Sequence, residues 1–176
     1  MKYILTYDQP HHQNLKISAH FKIVNKKSTI LSFPKWRPGR YEYGNFAKNI
    51  TQFKVVDDLN NPLTFIKIND NEWEINTENC KEIIVSYYYY AAELNAGSTF
   101  ISPDQLYVNP VNCLIYRETE QDLPCELILN VPADFQIACG LPFENNRLVT
   151  KNYHELVDTP FIASPTLQHY QYKLGP

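Results

Sequence analysis

From residue 14 to residue 24 apolar and polar side chains alternate: Leu15, Ile17, Ala19, Phe21 and Ile23 fall on one side, Lys16, Ser18, His20 and Lys22 on the other. A period of two is that of a strand with one face in a core and one in water. Asn25-Lys26-Lys27-Ser28 reads as a turn and residues 29–33 as a returning strand ended by Pro34, so the pair predicts a hairpin. Apolar or alternating runs recur at residues 52–56, 63–68, 72–75 and 81–90, separated by DDLNNP, NDN and NTEN, which are rich in turn formers. Meander connections are expected between them. After a looser stretch, AAELNAGSTFISPD, further strands are expected at residues 105–108, 113–117, 125–131, 135–138, 153–157 and 167–174. Residues 45–51 are the one segment resembling a helix, a turn or two long. The pattern predicts an all-β, mainly antiparallel domain layered as a β-sandwich.

Composition agrees with that picture. Of 176 residues, 44% are apolar, with thirteen Tyr, nine Phe and two Trp, enough for one well-filled core, and twelve Pro interrupt any long helix. No repeat, low-complexity tract or linker divides the chain, so residues 1–176 read as one domain. A net charge of -3 leaves no excess of cations for phosphates, which argues against nucleic acid or an anionic membrane as partner. The start, MKYILTYDQPHHQ, is apolar too briefly for an export signal or a membrane span, and a cytoplasmic location is expected. Gly175-Pro176 follows directly on an expected strand and reads as a cut between domains.

Candidate chemistry is sparse. His154-Glu155-Leu156-Val157-Asp158 is close to the spacing of a hydrolytic zinc site, but Asp158 stands where a second imidazole is needed. On a strand, moreover, positions i and i+4 lie about 13 Å apart, too far to share an ion. His11 and His12 point opposite ways on an extended chain and read, with His20, as polar surface. No GxSxG elbow and no glycine-rich phosphate loop is written among five Gly. Cys80, Cys113, Cys125 and Cys139 are widely spaced, without a CxxC, and read as reduced structural thiols; Cys113 and Cys139 lie in apolar runs where a thiol stays protonated. In Tyr87-Tyr88-Tyr89-Tyr90 two rings face each way, one pair for the core and one for a surface or seam. The carboxylates form no evident catalytic pair.

The segment FPKWRPGRYEYGNFAKNI, residues 33–50, is different in kind. Two prolines and Gly39 fix a non-repetitive path, and Trp36, Tyr41 and Phe46 are expected to anchor it against the sheet. It resembles the pattern PxWxPGSYxxRDFARNV in the amino-terminal domain of the glycyl aminopeptidase family of zinc metallopeptidases. Pro34, Trp36, Pro38, Gly39, Tyr41, Phe46, Ala47 and Asn49 match, with Lys48 and Ile50 as mild changes. The likeness continues through Asn71-Glu72-Trp73-Glu74-Ile75, the Tyr-rich strand into Ala91-Ala92-Glu93-Leu94, Asn109-Pro110, Ile137-Ala138-Cys139-Gly140-Leu141, and residues 153–160, which are similar to YxxLxDSP. Gly44-Asn45 stands where many members have Arg and an acidic residue, and Arg40 where they have Ser.

The resemblance implies a saddle-like, non-catalytic β domain that packs on a catalytic domain of the same parent chain and walls a peptide cleft. It implies no catalytic or metal-ligating residue and no cofactor here, the zinc and its HExxH helix belonging to a later, absent domain. Glu93, Asn95 and Gly97 become the residues expected to approach the peptide substrate, Gly97 by close backbone approach and Glu93 by charge. Trp36, Pro38, Gly39, Tyr41 and Phe46 become the structural motif at the domain interface. A rival from another class is an independent carbohydrate- or peptide-binding β-sandwich using Trp36, Tyr41 and the outward Tyr pair. A small Cys or carboxylate hydrolase ranks below both, since no convergent pocket is written.

Overall fold

Strand β1 (Lys2–Gln9) turns back through a single 3-10 turn at Pro10–His12 into β2 (Asn14–Lys22), whose alternating residues form the strand that their period predicts. These come from a computed structural model of the chain, which describes every residue except Asn25, Pro38, Tyr41, Leu174 and Pro176. In chain order there follow β3 (Ser28–Ser32), β4 (Ile50–Asp57), β5 (Phe65–Lys67), β6 (Glu72–Asn76), β7 (Glu82–Tyr90), β8 (Phe100–Ser102) and β9 (Gln105–Val108). Helix α1 (Pro110–Cys113), β10 (Cys125–Asn130), β11 (Gln136–Cys139), β12 (Arg147–Thr150), helix α2 (Tyr153–Val157) and β13 (Phe161–Ser164) complete the order.

Three sheets result: six strands ordered β12-β10-β1-β2-β7-β4, four ordered β11-β13-β9-β8, and three ordered β3-β6-β5. Pairing is antiparallel throughout these ladders except between β1 and β10, which run parallel from Lys2↔Glu126 to Thr6↔Asn130. The large sheet is amphipathic. Leu15, Ile17, Ala19 and Phe21 of β2 and Ile83, Val85, Tyr87 and Tyr89 of β7 are buried, while Tyr90 is exposed and Tyr88 half-buried. The three-stranded sheet and the residue that follows β3 cover it through aromatic contacts: Phe33 meets Tyr87 edge-on at 5.4 Å, and Phe53 of β4 stacks on Trp73 of β6 at 4.9 Å. On β4 the register shifts between Thr51 and Lys54, where Gln52 takes a positive φ of 52°, a bulge that bends the edge strand.

The mainly antiparallel, layered all-β architecture is the one that the spacing of apolar runs predicts. Several local expectations are corrected. β2 and β3 are not a hairpin: β3 pairs with β6 in another sheet, so the turn after Lys22 carries the chain between layers. Of the meander connections, β5–β6 and β8–β9 are direct hairpins, whereas β7 sits between β2 and β4. β1, β8, β12 and β13 lie in segments not read as strands; three of the four have only three or four residues, too short for a period to show. No strand forms over the described part of residues 167–174. The helix-like segment over residues 45–51 is a 3-10 turn, Phe46–Asn49.

Residues 113–117 and 153–157 are the most informative departures. In the first, Cys113 ends α1 and the backbone beyond it is irregular apart from a single bridge between Tyr116 and Ser32, with Cys113 to Ile115 buried, where a strand was expected. Buried carbonyls outside a ladder need other donors, and three tyrosines supply them. Tyr87 Oη donates to Cys113 O at 2.6 Å, Tyr153 Oη to Leu114 O at 2.7 Å and Tyr3 Oη to Ile115 O at 2.9 Å. Tyr87 Oη also accepts from Ile115 N at 3.3 Å. Residues 153–157 form α2 because Asn152 caps it, its Oδ1 accepting from Glu155 N at 2.9 Å. That helix then aims Tyr153 inward.

Replacing Tyr87 with Phe leaves the Cys113 carbonyl unpaired and is expected to cost about 1–3 kcal/mol in urea unfolding, against less than about 0.5 kcal/mol for exposed Tyr90→Phe. Burial pushes the Tyr3, Tyr87 and Tyr153 phenols well above the ordinary 10.0. The folded state therefore keeps protons that the unfolded chain releases. Their contribution is complete below pH 10.0 and is lost as pH rises beyond it, so an alkaline titration followed by phenolate absorbance should show these rings ionising together with loss of structure. Burial likewise pushes the Cys113 thiol up to about 12 and Cys125 up to about 11. In an alkylation pulse at neutral pH read by mass spectrometry, these two should stay unmodified until denaturant is added, and half-buried Cys80 and Cys139 should react first.

Candidate functional site

Two loops reach one side of the molecule. The loop after β3 is tied at its base by Gly44 N donating to Lys35 O at 2.7 Å and at its tip by Arg40 N donating to Arg37 O at 3.3 Å. Gly39 sits in that tip at φ 83°, left-handed backbone that a side chain would strain. Phe46 folds beneath Gly44, where a Cβ would collide with its ring. Trp36 does not anchor the loop, as the sequence suggested; it is 61% exposed. Of the other motif residues, Phe46 is half-buried and does pack the loop, while Pro38 and Tyr41 lie outside the described residues.

The second loop follows β7. Asn95 shapes it, its Oδ1 accepting from Gly97 N at 2.8 Å while its carbonyl accepts from Ser98 N. Tyr107 Oη donates to Ala96 O at 3.2 Å, and Asn112 Nδ2 to Gly97 O at 2.7 Å. Exposed Glu93 accepts from Ser98 Oγ at 3.4 Å. The structure therefore brings Glu93, Asn95 and Gly97 together, with Asn95 spent on the turn itself. Gly97 is where the two loops meet: a Cβ there would run into the Arg37 guanidinium.

On one side of this junction lies a cleft of ≈ 230 Å³ bordered by Arg37, Lys48, Tyr89, Glu93, Gly97 and Asn112. On the other is a groove of ≈ 1130 Å³ between the Trp36 loop, Ala96, α1 and α2, with Phe33, Tyr116 and Tyr153 in its lining. Each contains a buried amide oxygen without a hydrogen-bond partner among the described residues: Asn112 Oδ1 in the cleft, in a side chain 2% exposed, and Asn71 Oδ1 in the groove, in one 5% exposed. Asn71 Nδ2 donates to Phe33 O at 2.8 Å. Trp36 lines the groove and Tyr90 the cleft, so these two of the aromatic side chains expected in a sugar platform border different depressions. Sequence reading assigned no role to Arg37, Asn71 or Asn112, although the first two lie in stretches that carry the family resemblance. The only signal was a cation between two motif residues and two Asn beside aromatic or Pro-flanked core positions.

His154 and Asp158 also border the groove. Because α2 is a helix, the strand separation expected between them does not apply; they stand one turn apart, Asp158 N donating to His154 O at 3.1 Å. Glu155 is committed elsewhere. Its carboxylate accepts from Lys151 N at 2.7 Å and pairs with the Lys151 ammonium at 3.2 Å, contacts that hold its carboxyl below the usual range. Among the described residues no three His, Cys, Asp or Glu side chains converge to hold a metal ion, so the zinc implied by the glycyl aminopeptidase resemblance has no site built from them. No helix among them is long and apolar enough to cross a membrane.

No curated protein matches the chain. Among solved structures it is similar to an aminopeptidase N family protein from Idiomarina loihiensis, at 26% identity and a TM-score of 0.85, covering 93% of this chain and 29% of that one. A variant of the M1 zinc metallopeptidase from Deinococcus radiodurans shares the fold at 9% identity and a TM-score of 0.50, over 93% of this chain and 41% of that one. The chain thus spans less than half the length of either. Residues 2–165 match the family described as Peptidase M61 N-terminal domain, and the chain belongs to that family.

Proposed function

We propose that this chain is the non-catalytic amino-terminal domain of a glycyl-aminopeptidase-like zinc metallopeptidase, docking on the catalytic domain and shaping the entrance for peptide amino termini. The observation that carries this reading is the groove of ≈ 1130 Å³ at the junction of the Trp36 loop and the loop bearing Asn95. Such a groove, with an exposed indole at its rim and Phe33, Tyr116 and Tyr153 in its lining, has the features of a protein interface: an aromatic anchor beside a partly apolar wall. The family match and the small share of longer peptidase chains that this chain covers support the same division of labour. Zinc chemistry then belongs to the other domain, and the residues here act by position: Trp36 as anchor, Gly39 and Phe46 as supports of its loop, and Glu93 facing the peptide from a loop that buried Gly97 holds in shape.

The test has two arms. The chain alone, given glycine- and alanine-terminated peptides with and without zinc, should show no turnover; metal-dependent hydrolysis that survives purification overturns the reading. Mixed with the separately produced catalytic domain, the chain should form a complex that Trp36→Ser weakens about tenfold or more, as expected for a central aromatic anchor.

A further inference from the structure

Strand β5 ends the three-stranded sheet, and its outer edge is bare. Ile68 N donates to Glu72 O at 2.9 Å and Asn76 N to Thr64 O at 3.0 Å, so the alternate residues Thr64, Ile66 and Ile68 turn their backbone groups toward β6. Phe65 and Lys67 turn theirs away. Just before them Leu63 N donates to Val55 O of β4 at 2.9 Å, but no ladder continues between β4 and β5. Among the described residues no backbone hydrogen bond meets Phe65 or Lys67 from that side. Other strands that end sheets are closed off. β4 carries the Gln52 bulge, Ala92 bridges to β8, and Glu144 exchanges backbone bonds at 2.9 Å with Arg147 of β12. A bare edge is a template for one more strand.

Side chains on β5 sort by face. Phe65 meets Phe53 edge-on at 5.1 Å, and the Lys67 ammonium lies 4.9 Å from the centre of the Trp73 ring, both on the side toward the large sheet. An edge lysine usually repels a neighbouring strand; this one is folded over an indole instead. On the opposite face Ile66 is 62% and Ile68 46% exposed. We infer that β5 pairs with β5 of a second copy of this chain, antiparallel about a two-fold axis at Ile66, which joins two three-stranded sheets into one. The free backbone groups select this register. With Ile66 opposite its own copy, Phe65 faces Lys67 of the second chain, and the two exchange both N–H and C=O bonds on each side of the axis. An axis at Lys67 would set two lysines directly opposite each other, and like charges there repel. An axis at Phe65 would call on Leu63 N, which is already given to Val55 O. Glu74, one strand inward from Ile66, lies about 14 Å from its copy by strand spacing, beyond a Debye length. The pairing uses the edge of both copies and so stops at a dimer. So short an edge buries less than the roughly 1,200 Å² of a stable interface, which makes the dimer a weak one.

The experiment is sedimentation velocity of this chain, with amide hydrogen exchange read by NMR at low and high concentration. A monomer–dimer equilibrium with a dissociation constant of about 0.1 mM is expected, and the Phe65 and Lys67 amides should exchange more slowly as the dimer fills. Ile66→Lys, which places like charges on the axis, should weaken association about tenfold or more. Lys67→Pro removes an N–H that faces away from β6, so it should abolish the dimer with the circular dichroism spectrum retained. Ile30→Lys, on the other outer strand of the same sheet, should change nothing. A monomer throughout, growth beyond a dimer, Phe65 and Lys67 exchange independent of concentration, or wild-type association in both Ile66→Lys and Lys67→Pro overturns the inference. Protection of the same two amides by the separately produced catalytic domain, where the chain alone is monomeric, also overturns it by giving the edge to that domain. Phe65, Ile66 and Lys67 line neither the cleft nor the groove, and Trp36→Ser should leave the dimer intact, so this inference and the docking reading fail separately.

Discussion

Three tyrosine hydroxyls, from β1, β7 and α2, converge on three consecutive carbonyls of a segment that belongs to no sheet. That convergence is the constraint on which the rest of the molecule turns. Irregular backbone is ordinarily left at the surface because its polar groups need water. Here residues 113–115 run through the core, and phenols take the place of water, each bringing a large apolar ring with its donor. The arrangement links the six-stranded sheet to both short helices.

The functional face follows from it. α1 ends where the tyrosine-bound segment begins, and its buried Asn112 holds the Gly97 carbonyl; Asn109, just before α1, exchanges hydrogen bonds with Thr99 at 3.2 Å and 3.3 Å. The loop carrying Glu93 and Asn95 is therefore referenced to the core at its C-terminal side. The Trp36 loop is fixed by different means, a backbone tie at its base and Phe46 packed under Gly44. Both depressions thus have floors tied to the core and loop-built rims, an arrangement that holds their lining residues in place.

Much of this was legible beforehand, and the reasons differ by element. The alternation of β2 and β7 announces itself because one face is buried along nine residues. The motif around Trp36 and Gly39 is legible because Pro and Gly mark unusual backbone. What stayed hidden depends on partners distant in sequence. Residues 153–157 carry a strand-like apolar pattern, and only the Asn152 cap and the inward pull on Tyr153 make them a helix. β3 takes β6 rather than β2 because pairing across layers is settled by packing of Phe33 and Trp73, at 5.6 Å, which no local period encodes. Arg37 and Asn112 escaped notice because a lone cation and a lone amide have no spacing to betray them.

The parallel ladder between β1 and β10 has a consequence for how the protein is made. β1 occupies the middle of the large sheet, yet one of its two neighbours is made long after it, Lys2 pairing with Glu126 far along the chain. Until then the first strand exposes an unpaired edge beside the buried side chains of Tyr3 and Leu5. Completion of the sheet is consequently a late, long-range closure, slow by the usual dependence of folding rate on sequence separation. A nascent chain arrested before β10 would present an edge suited to misassembly with its neighbours.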